Sequence, residues 1–306
     1  MKKEENRLKP EEWIRASVIA FAEGPENTLQ NNENEPAWAR PLIGFAAGDD
    51  PLWDELKRHI GPFFQTPGEI FAQTFPSAGA LREELTVISW VLPQTERTKS
   101  DHRKRTDSPS ERWARARKYG EDFNVKLRKH IVEMLTAAGY EAVAPQLSPI
   151  WKTQISEKYG LASTWSERHA AYAAGLGTFG LCDGLITAAG KAMRSGSVIA
   201  RLRIPASPRP YKDHHAYCLF FAKGVCGKCI DRCPAGAITK EGHNKEKCRV
   251  YLEGPTNDYI KQHYGFEAYG CGFCQVGVPC ESGIPVREKP ENGNRKTDTG
   301  KRGKTE

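Results

Sequence analysis

Eight of the nine cysteines of this chain lie within residues 218–280, in two groups that each contain a Cys-x2-Cys pair. A cubane [4Fe–4S] cluster needs four thiolates that converge from several directions, and a Cys-x2-Cys turn supplies two of them from one tight loop. The first group also ends in Cys-x3-Cys-Pro, as bacterial two-cluster sequences do. The spacing therefore predicts two [4Fe–4S] clusters and redox chemistry. The first group is Cys218, Cys226, Cys229 and Cys233, and the second is Cys248, Cys271, Cys274 and Cys280.

We expect crossed ligation, because the cysteine before the proline points away from its own loop toward the neighbouring cluster. In the bacterial run Cys-x2-Cys-x2-Cys-x3-Cys-Pro the first position would fall at Lys223, so Cys218 is the natural substitute. Cys182 lies apart and is expected to be a small buried residue. The predicted ligands are Cys218, Cys226, Cys229 and Cys280 for one cluster, and Cys233, Cys248, Cys271 and Cys274 for the other.

Zinc and disulfide bonds are the two alternatives for these thiols. Two Cys-x2-Cys pairs can form a zinc site with four cysteine ligands, and clustered cysteines can pair in an oxidising compartment. A zinc site, however, needs neither the Cys-x3-Cys-Pro ending nor eight thiols so close together. The spacing therefore favours iron–sulfur clusters over both alternatives.

The composition bounds the class of protein. The chain has 306 residues, of which 39% are hydrophobic, and it contains no run of 18 apolar residues that could span a membrane. The N-terminal segment has neither an apolar signal region nor a twin arginine, and clustered thiols suit a reducing compartment, so we expect a cytoplasmic protein.

The net charge of +7 is concentrated in residues 96–118 and 287–306. Such basic segments either contact nucleic acid or act as solubilising linkers.

Hydrophobic periodicity predicts several helices and one strand that is apolar on both faces, which is typical of the centre of a sheet. A charged stretch is expected to form a loop, and Thr164-x2-Glu167 a capping box that opens a further helix. The predicted helices span residues 8–24, 51–60 and 111–138, the central strand spans 85–92, further strands span 140–144, 184–189 and 197–204, and the loop spans 94–110.

These elements define the expected domains. The predicted fold class is an α/β (α+β) domain over residues 8–205. A ferredoxin-like module with the two clusters follows over residues 206–286. Residues 287–306 lack apolar anchors and are expected to be a disordered basic tail.

Residues 175–180 read Gly-Leu-Gly-Thr-Phe-Gly and match the letters of the dinucleotide fingerprint G-x-G-x-x-G. That fingerprint follows a strand and opens a helix, whereas this segment follows a predicted helix and precedes a predicted strand. A Rossmann site is therefore rejected. The glycines indicate either a tight helix-to-strand turn or a close approach of the backbone to a bound group.

The segment 166–180 resembles the E-R-x-x-A-x-x-A-G-L-G-x-x-G segment of epoxyqueuosine reductases and corrinoid reductive dehalogenases. The cysteine region is similar to theirs as well, in Cys-Pro-Ala-Gly-Ala-Ile at 233–238 and Gly-Cys-Gly-Phe-Cys-Gln at 270–275. The resemblance covers about residues 40–285 and is specific over 166–280.

The resemblance implies a cobalamin-dependent reductase whose α/β domain holds the corrinoid beside the clusters. In that family electrons pass from the outer cluster to the inner cluster and then to the corrinoid, which implies an electron donor such as a flavodoxin or a ferredoxin. Epoxyqueuosine reductases act on a modified base at the wobble position of tRNA, so tRNA is an implied partner. The resemblance places cofactor contacts at Gly175, Leu176, Gly177, Gly180, Gly196 and Ser197.

The sequence departs from the family at the general acid. The family has an Asp in a short V-D-x-A-P element, and the matching segment here places Gln146 at that position. A buried carboxyl group delivers a proton near neutral pH, whereas an amide does not. Glu157 and Tyr159 are nearby alternatives. The departure leaves the catalytic residue unassigned and indicates a paralogue of the tRNA enzyme.

Three functions from different classes follow from these patterns. The first is a cobalamin- and iron–sulfur-dependent reductase, with epoxyqueuosine in tRNA as a candidate substrate. The second is a ferredoxin-like electron carrier or corrinoid-activating protein without substrate chemistry of its own, which Gln146 favours because electron transfer needs no proton donor. The third is a structural metal-bound module that binds nucleic acid.

Overall fold

The computed structural model describes residues 9–286, so the basic tail predicted at 287–306 lies outside the described residues. The strands are β1 (Leu42–Ala47), β2 (Leu85–Pro93), β3 (Ala142–Val143), β4 (Thr153–Ser156), β5 (Gly160–Ser163), β6 (Gly177–Phe179), β7 (Leu185–Thr187), β8 (Met193–Arg201), β9 (Ile238–Thr239) and β10 (Gly242–His243). The helices are α1 (Pro10–Ala22), α2 (Leu52–Ile60), α3 (Pro67–Thr74), α4 (Glu96–Arg103), α5 (Glu111–Ala137), α6 (Glu167–Ala173), α7 (Leu219–Lys223), α8 (Lys228–Asp231), α9 (Lys245–Tyr251) and α10 (Asn257–Tyr264).

Strand β2 lies inside a four-stranded sheet with the order β1-β2-β8-β3. All nine of its residues are buried, which explains why its sequence is apolar on both faces. The prediction of a central strand is therefore confirmed. Every pair in the sheet is antiparallel, so the N-terminal domain is of the α+β kind rather than a doubly wound parallel sheet.

Helices cover both faces of the sheet. Helices α1 and α5 pack on one face, where Ile14 and Leu127 meet Trp90 of β2. Helices α2, α3 and α6 pack on the other, where Trp53 and Ala170 join Val87 of β2. Alternate residues of β2 therefore enter two different hydrophobic cores, as the period of two in a strand requires.

The prediction of a charged loop over residues 94–110 is wrong. Helix α4 occupies residues 96–103, and Lys99 and His102 on it are buried. The charges of this region are paired with distant carboxylates: Arg112 contacts Glu35 at 2.7 Å, and Arg103 contacts Glu281 at 2.7 Å. Pairing across the fold lets a polar segment pack, since a buried charge is tolerated when it is paired. The basic segment is thus part of the folded body rather than a flexible linker.

The start of helix α6 also differs from the prediction. Ser166, not Thr164, is the N-cap residue, and its Oγ accepts a hydrogen bond from the backbone N–H of His169 at 3.4 Å. The hydroxyl of Thr164 instead donates to the carbonyl of Ile150 at 3.0 Å. Both residues are of the type that caps helices, so the sequence pattern alone did not separate them.

The partly buried ring of His169 gives stability a pH dependence. The ring packs 4.8 Å from that of Phe179, and burial lowers its pKa to about 3. The folded state keeps this imidazole neutral while the unfolded chain takes up a proton below pH 6.5, so stability falls as pH falls. Between about pH 7.5 and pH 5.5 the loss is about 1 kcal/mol, or roughly 2–4 °C in Tm.

The measurement is the Tm of the wild type and of His169→Gln at both pH values. The drop in Tm from pH 7.5 to pH 5.5 is expected to be smaller in His169→Gln than in the wild type by roughly 2–4 °C. Equal drops in the two proteins would contradict a neutral, buried His169.

The C-terminal module packs directly on the N-terminal domain. The backbone N–H of Lys191, just before β8, donates to the carbonyl of Cys280 at 2.8 Å. His102 on α4 lies 2.7 Å from the carbonyl of Cys271, and the ammonium of Lys99 donates to Ser282 Oγ at 2.7 Å. Cys271 and Cys280, which are predicted ligands of different clusters, are therefore both held against residues of the first domain. In the described part of the chain, no helix is both long enough and apolar enough to cross a membrane.

Candidate iron–sulfur and ligand site

The structure brings the four cysteines predicted for the first cluster around one small cavity. Its lining includes Cys218, Cys226, Cys229 and Cys280, although Cys280 is about fifty residues away in sequence from the other three. Cys218 is the N-cap of α7, Cys229 lies in α8, and Cys226 is in the loop between them. Cys226 has a φ of 98°, a left-handed conformation that non-glycine residues rarely adopt and that is often found at functional sites.

The thiols predicted for the second cluster are also neighbours. Cys271 interacts electrostatically with Cys248 and Cys233, and Cys274 interacts with Cys271. Burial raises the pKa of the free Cys271 thiol to about 12. A metal centre would convert such a thiol to the thiolate, because a ligating cysteine is deprotonated.

Cys182, the ninth cysteine, lies between the two groups. It is 4% exposed, as expected for a small buried residue, and its thiol contacts those of Cys229 and Cys274. Its Sγ accepts a hydrogen bond from the ammonium of Lys191 at 3.2 Å. The sequence did not predict this proximity to both groups.

The donor set fits two cubane clusters. All nine cysteines lie within the described residues and all are free, so the disulfide alternative is wrong. Within residues 9–286, no three His, Cys, Asp or Glu side chains are gathered closely enough to hold a single metal ion. The four thiols spread around the small cavity suit a multi-atom cluster, whose ligands stand further apart than those of one ion.

A larger cavity of about 420 Å3 lies beside the cysteines, within the range of about 300–1,000 Å3 that is usual for ligand clefts. Gln146, the residue at the position of the family's acid, lines it, while Glu157 and Tyr159 do not. The lining consists of Glu121, Arg128, Gln146, Trp151, Ser163, Trp165, Ser166, Glu167, Arg168, Gly184, Leu185, Lys191, Met193, Arg194, Ser195 and Gln275.

A chain of buried polar contacts forms one wall of this cavity. Arg128 is buried and lies 3.1 Å from both Glu121 and Glu167. Glu121 also pairs with Arg194, and Glu167 accepts a hydrogen bond from Ser197 Oγ. Despite the cost of burying its charge, Glu121 has a pKa of about 2 because Arg194 and Arg128 stabilise the carboxylate. Loss of solvation raises the pKa of Glu167.

None of the six residues predicted to contact a cofactor is in the lining of this cavity, and their contact with a cofactor stays a prediction. A Cβ on Gly175 would come within 2.3 Å of the carbonyl of Pro208, and one on Gly177 within 2.3 Å of the carbonyl of Ile186. The tight approach is therefore to the chain's own backbone, in the helix-to-strand turn between α6 and β6. Gly196 packs on Trp90, and the hydroxyl of Ser197 accepts a hydrogen bond from Trp165 Nε1 at 3.0 Å. The remaining predicted contacts are Leu176 and Gly180.

Comparison with known proteins first defines the class of the C-terminal module. Residues 224–279 match the family model of the 4Fe-4S double cluster binding domain. The module is therefore an iron–sulfur domain that holds two [4Fe–4S] clusters, as the cysteine spacing predicted, and the zinc alternative is wrong. Cys218 and Cys280 lie just outside the matched residues.

The chain is a sequence relative of the epoxyqueuosine reductases, so the resemblance is confirmed. The enzyme of Bacillus cereus is 31% identical over 132 residues, which are 41% of this chain and 32% of that protein. The enzyme of Staphylococcus aureus is 27% identical over 259 residues, which are 80% of this chain and 62% of that protein. The chain thus spans about a third of the first relative and less than two thirds of the second.

Among solved structures, an epoxyqueuosine reductase with an epoxyqueuosine-modified tRNA stem loop is 20% identical. The match covers 91% of this chain and 68% of that one, with a TM-score of 0.46.

Proposed function

We propose that this chain is a reductase that passes electrons through its two clusters to a corrinoid in the large cavity, where a substrate is reduced. The observation that carries the proposal is the wall shared by the two sites. Lys191 lines both the large cavity and the small cavity around the four cysteines predicted for the first cluster. Gln275, which also lines the large cavity, directly follows Cys274 of the second group. Electron donors and an acceptor would therefore be neighbours.

The ligand assignment is part of the proposal. Cys218, Cys226, Cys229 and Cys280 would hold one cluster, and Cys233, Cys248, Cys271 and Cys274 the other. When bound, the clusters supply single electrons and a corrinoid supplies a strongly reducing metal centre. Trp151 lines the large cavity, and its buried Nε1 has no hydrogen-bond partner among residues 9–286. A buried donor without a partner is costly, which fits a bound group that accepts from it.

Epoxyqueuosine in tRNA is the first candidate substrate, because the curated relatives are epoxyqueuosine reductases. Removal of an epoxide oxygen as water takes two electrons and two protons. Of the two carboxyl groups in the lining, Glu167 keeps a proton more readily than Glu121, because burial raises its pKa.

A redox protein such as a flavodoxin or a ferredoxin would supply the electrons. A cytoplasmic location fits the nine free thiols.

An electron carrier or corrinoid-activating protein is the second candidate. The observation that favours it is Gln146 in the lining of the large cavity, since an amide cannot serve as the general acid. Such a protein would reduce a bound corrinoid, or the corrinoid of a partner, without converting a small substrate.

The test is anaerobic turnover of tRNA that contains epoxyqueuosine, with chemically reduced protein loaded with iron, sulfide and cobalamin. Conversion of epoxyqueuosine to queuosine, seen by mass spectrometry of the nucleosides, is the expected result. Rapid reduction of cobalamin without nucleoside conversion would overturn the assignment of epoxyqueuosine as the substrate and support the function of an electron carrier. Protein without cobalamin is the matched control.

A further inference from the structure

Lys191 is a buried lysine whose positive charge has no carboxylate partner in the described part of the chain. It is 3% exposed, and its ammonium donates to the Sγ of Cys182 at 3.2 Å. The groups around it are thiols: Cys182, Cys229, Cys274 and Cys280 all interact with its charge. The other buried lysine within residues 9–286, Lys99, is paired and lies 3.0 Å from Glu96.

The surrounding backbone is built to hold Lys191 in this place. Its N–H donates to the carbonyl of Cys280 at 2.8 Å. The preceding Gly190 has a φ of 88°, and a Cβ there would come within 2.0 Å of the carbonyl oxygen of Glu281. A Cβ on Gly184 would meet the Lys191 side chain at 2.8 Å. Two positions without side chains thus make room for the lysine and fix it against the iron–sulfur module.

The burial of this charge requires a compensating negative charge. Moving an ammonium group out of water costs several kcal/mol unless it is paired. A [4Fe–4S]2+ core with four thiolates has a total charge of −2, and each further electron adds another negative charge. The thiols that face Lys191 include predicted ligands of both clusters, with Cys229 and Cys280 assigned to one cluster and Cys274 to the other. The clusters therefore provide the missing counter-charge.

We propose that Lys191 is the shared counter-ion of the two clusters and raises their reduction potentials. A positive charge beside the thiolates favours the more negative, reduced form of each cluster. Hydrogen bonds and charges near the sulfurs are the means by which proteins tune these potentials. Because Lys191 also lines the large cavity, it adjusts the driving force for electron transfer at the boundary between the clusters and the acceptor. The proposal requires the two clusters but neither the corrinoid nor the substrate.

The test is an EPR-monitored redox titration of reconstituted wild type, Lys191→Met and Lys191→Arg. In Lys191→Met at least one cluster is expected to change its reduction equilibrium constant by about tenfold or more, which for one electron is about 59 mV toward more negative potential. Lys191→Arg, which keeps the charge, is expected to shift less. Lys99→Met is the matched control, since it removes a buried lysine that is already paired, and it is expected to leave the potentials near those of the wild type.

Unchanged potentials in Lys191→Met with about eight irons bound would overturn the proposal. Loss of iron in Lys191→Met but not in Lys191→Arg would support it, because the charge would then be needed to hold the clusters at all. Loss of iron in both variants would overturn it and assign Lys191 a packing role. Potentials that shift equally in Lys99→Met would also overturn it.

Discussion

Cys226→Ser and Cys271→Ser are each expected to bind about four irons instead of about eight. Each variant removes one thiolate from a different cysteine group, and a cubane with three cysteine ligands is not retained stably. Electron transfer to an acceptor in the large cavity should be lost in both, because the path needs two clusters. Iron and acid-labile sulfide analysis after anaerobic purification measures the result.

Cys182→Ser is the matched control. Cys182 is buried and contacts thiols of both groups, yet it is not among the predicted ligands. The variant should therefore keep about eight irons. Loss of iron from Cys182→Ser, or full iron in both ligand variants, would contradict the ligand assignment.

Double variants test the crossed ligation. Cys226→Ser combined with Cys280→Ser removes two ligands of the same predicted cluster and should retain about four irons. Cys226→Ser combined with Cys233→Ser removes one ligand from each cluster and should retain almost none. If Cys233 instead ligated the same cluster as Cys226, the second pair would also keep about four irons. Far-UV circular dichroism checks that the N-terminal domain stays folded in each protein.

Arg128→Met is expected to produce the largest loss of stability, about 3–5 kcal/mol. Arg128 is buried on α5 between two carboxylates, and it also donates to the carbonyl of Ser195 at 3.3 Å. Without the guanidinium of Arg128, the buried carboxyl groups of Glu121 and Glu167 lose the donor that they share. Removal of one member of a buried ion pair costs far more than removal of an exposed one. The expected fall in Tm is at least about 6 °C.

Lys126→Met is the matched control for Arg128→Met. Lys126 lies on the same helix and pairs with Glu26, but both side chains are about half exposed. An exposed pair contributes about 0–1 kcal/mol, so the Tm of this variant should change by less than about 3 °C. Similar losses in the two variants would contradict a special role for the network that lines the cavity.

The features that could be predicted from the sequence are those that short stretches of chain determine. The Cys-x2-Cys spacing is local, and it predicted the two clusters. The apolar run of β2 predicted a central strand, and the order of elements around residues 175–180 correctly excluded a dinucleotide fingerprint, since β6 follows α6 there. Helices α1, α2 and α5 were predicted within a few residues of their ends.

The features that were missed depend on partners far away in sequence. Helix α4 packs because Arg103 reaches Glu281 and His102 reaches the carbonyl of Cys271, contacts that span more than 160 residues. The same holds for Lys191 and Cys182, whose importance becomes visible only when the module folds back on the first domain. The cofactor contacts at the glycines stay a prediction, and the cavity lining also contains Gly184, Ser195 and Lys191 of the neighbouring segments. A glycine pattern alone does not distinguish room for a ligand from room for the chain's own backbone.

The decisive measurement is the metal content of the protein after anaerobic reconstitution with iron, sulfide and cobalamin, together with its EPR spectrum. We expect about eight irons and about one cobalt per chain, with EPR signals from two clusters and from a bound corrinoid. About eight irons with no bound cobalt would show that the clusters do not deliver electrons to a corrinoid in the adjacent cavity.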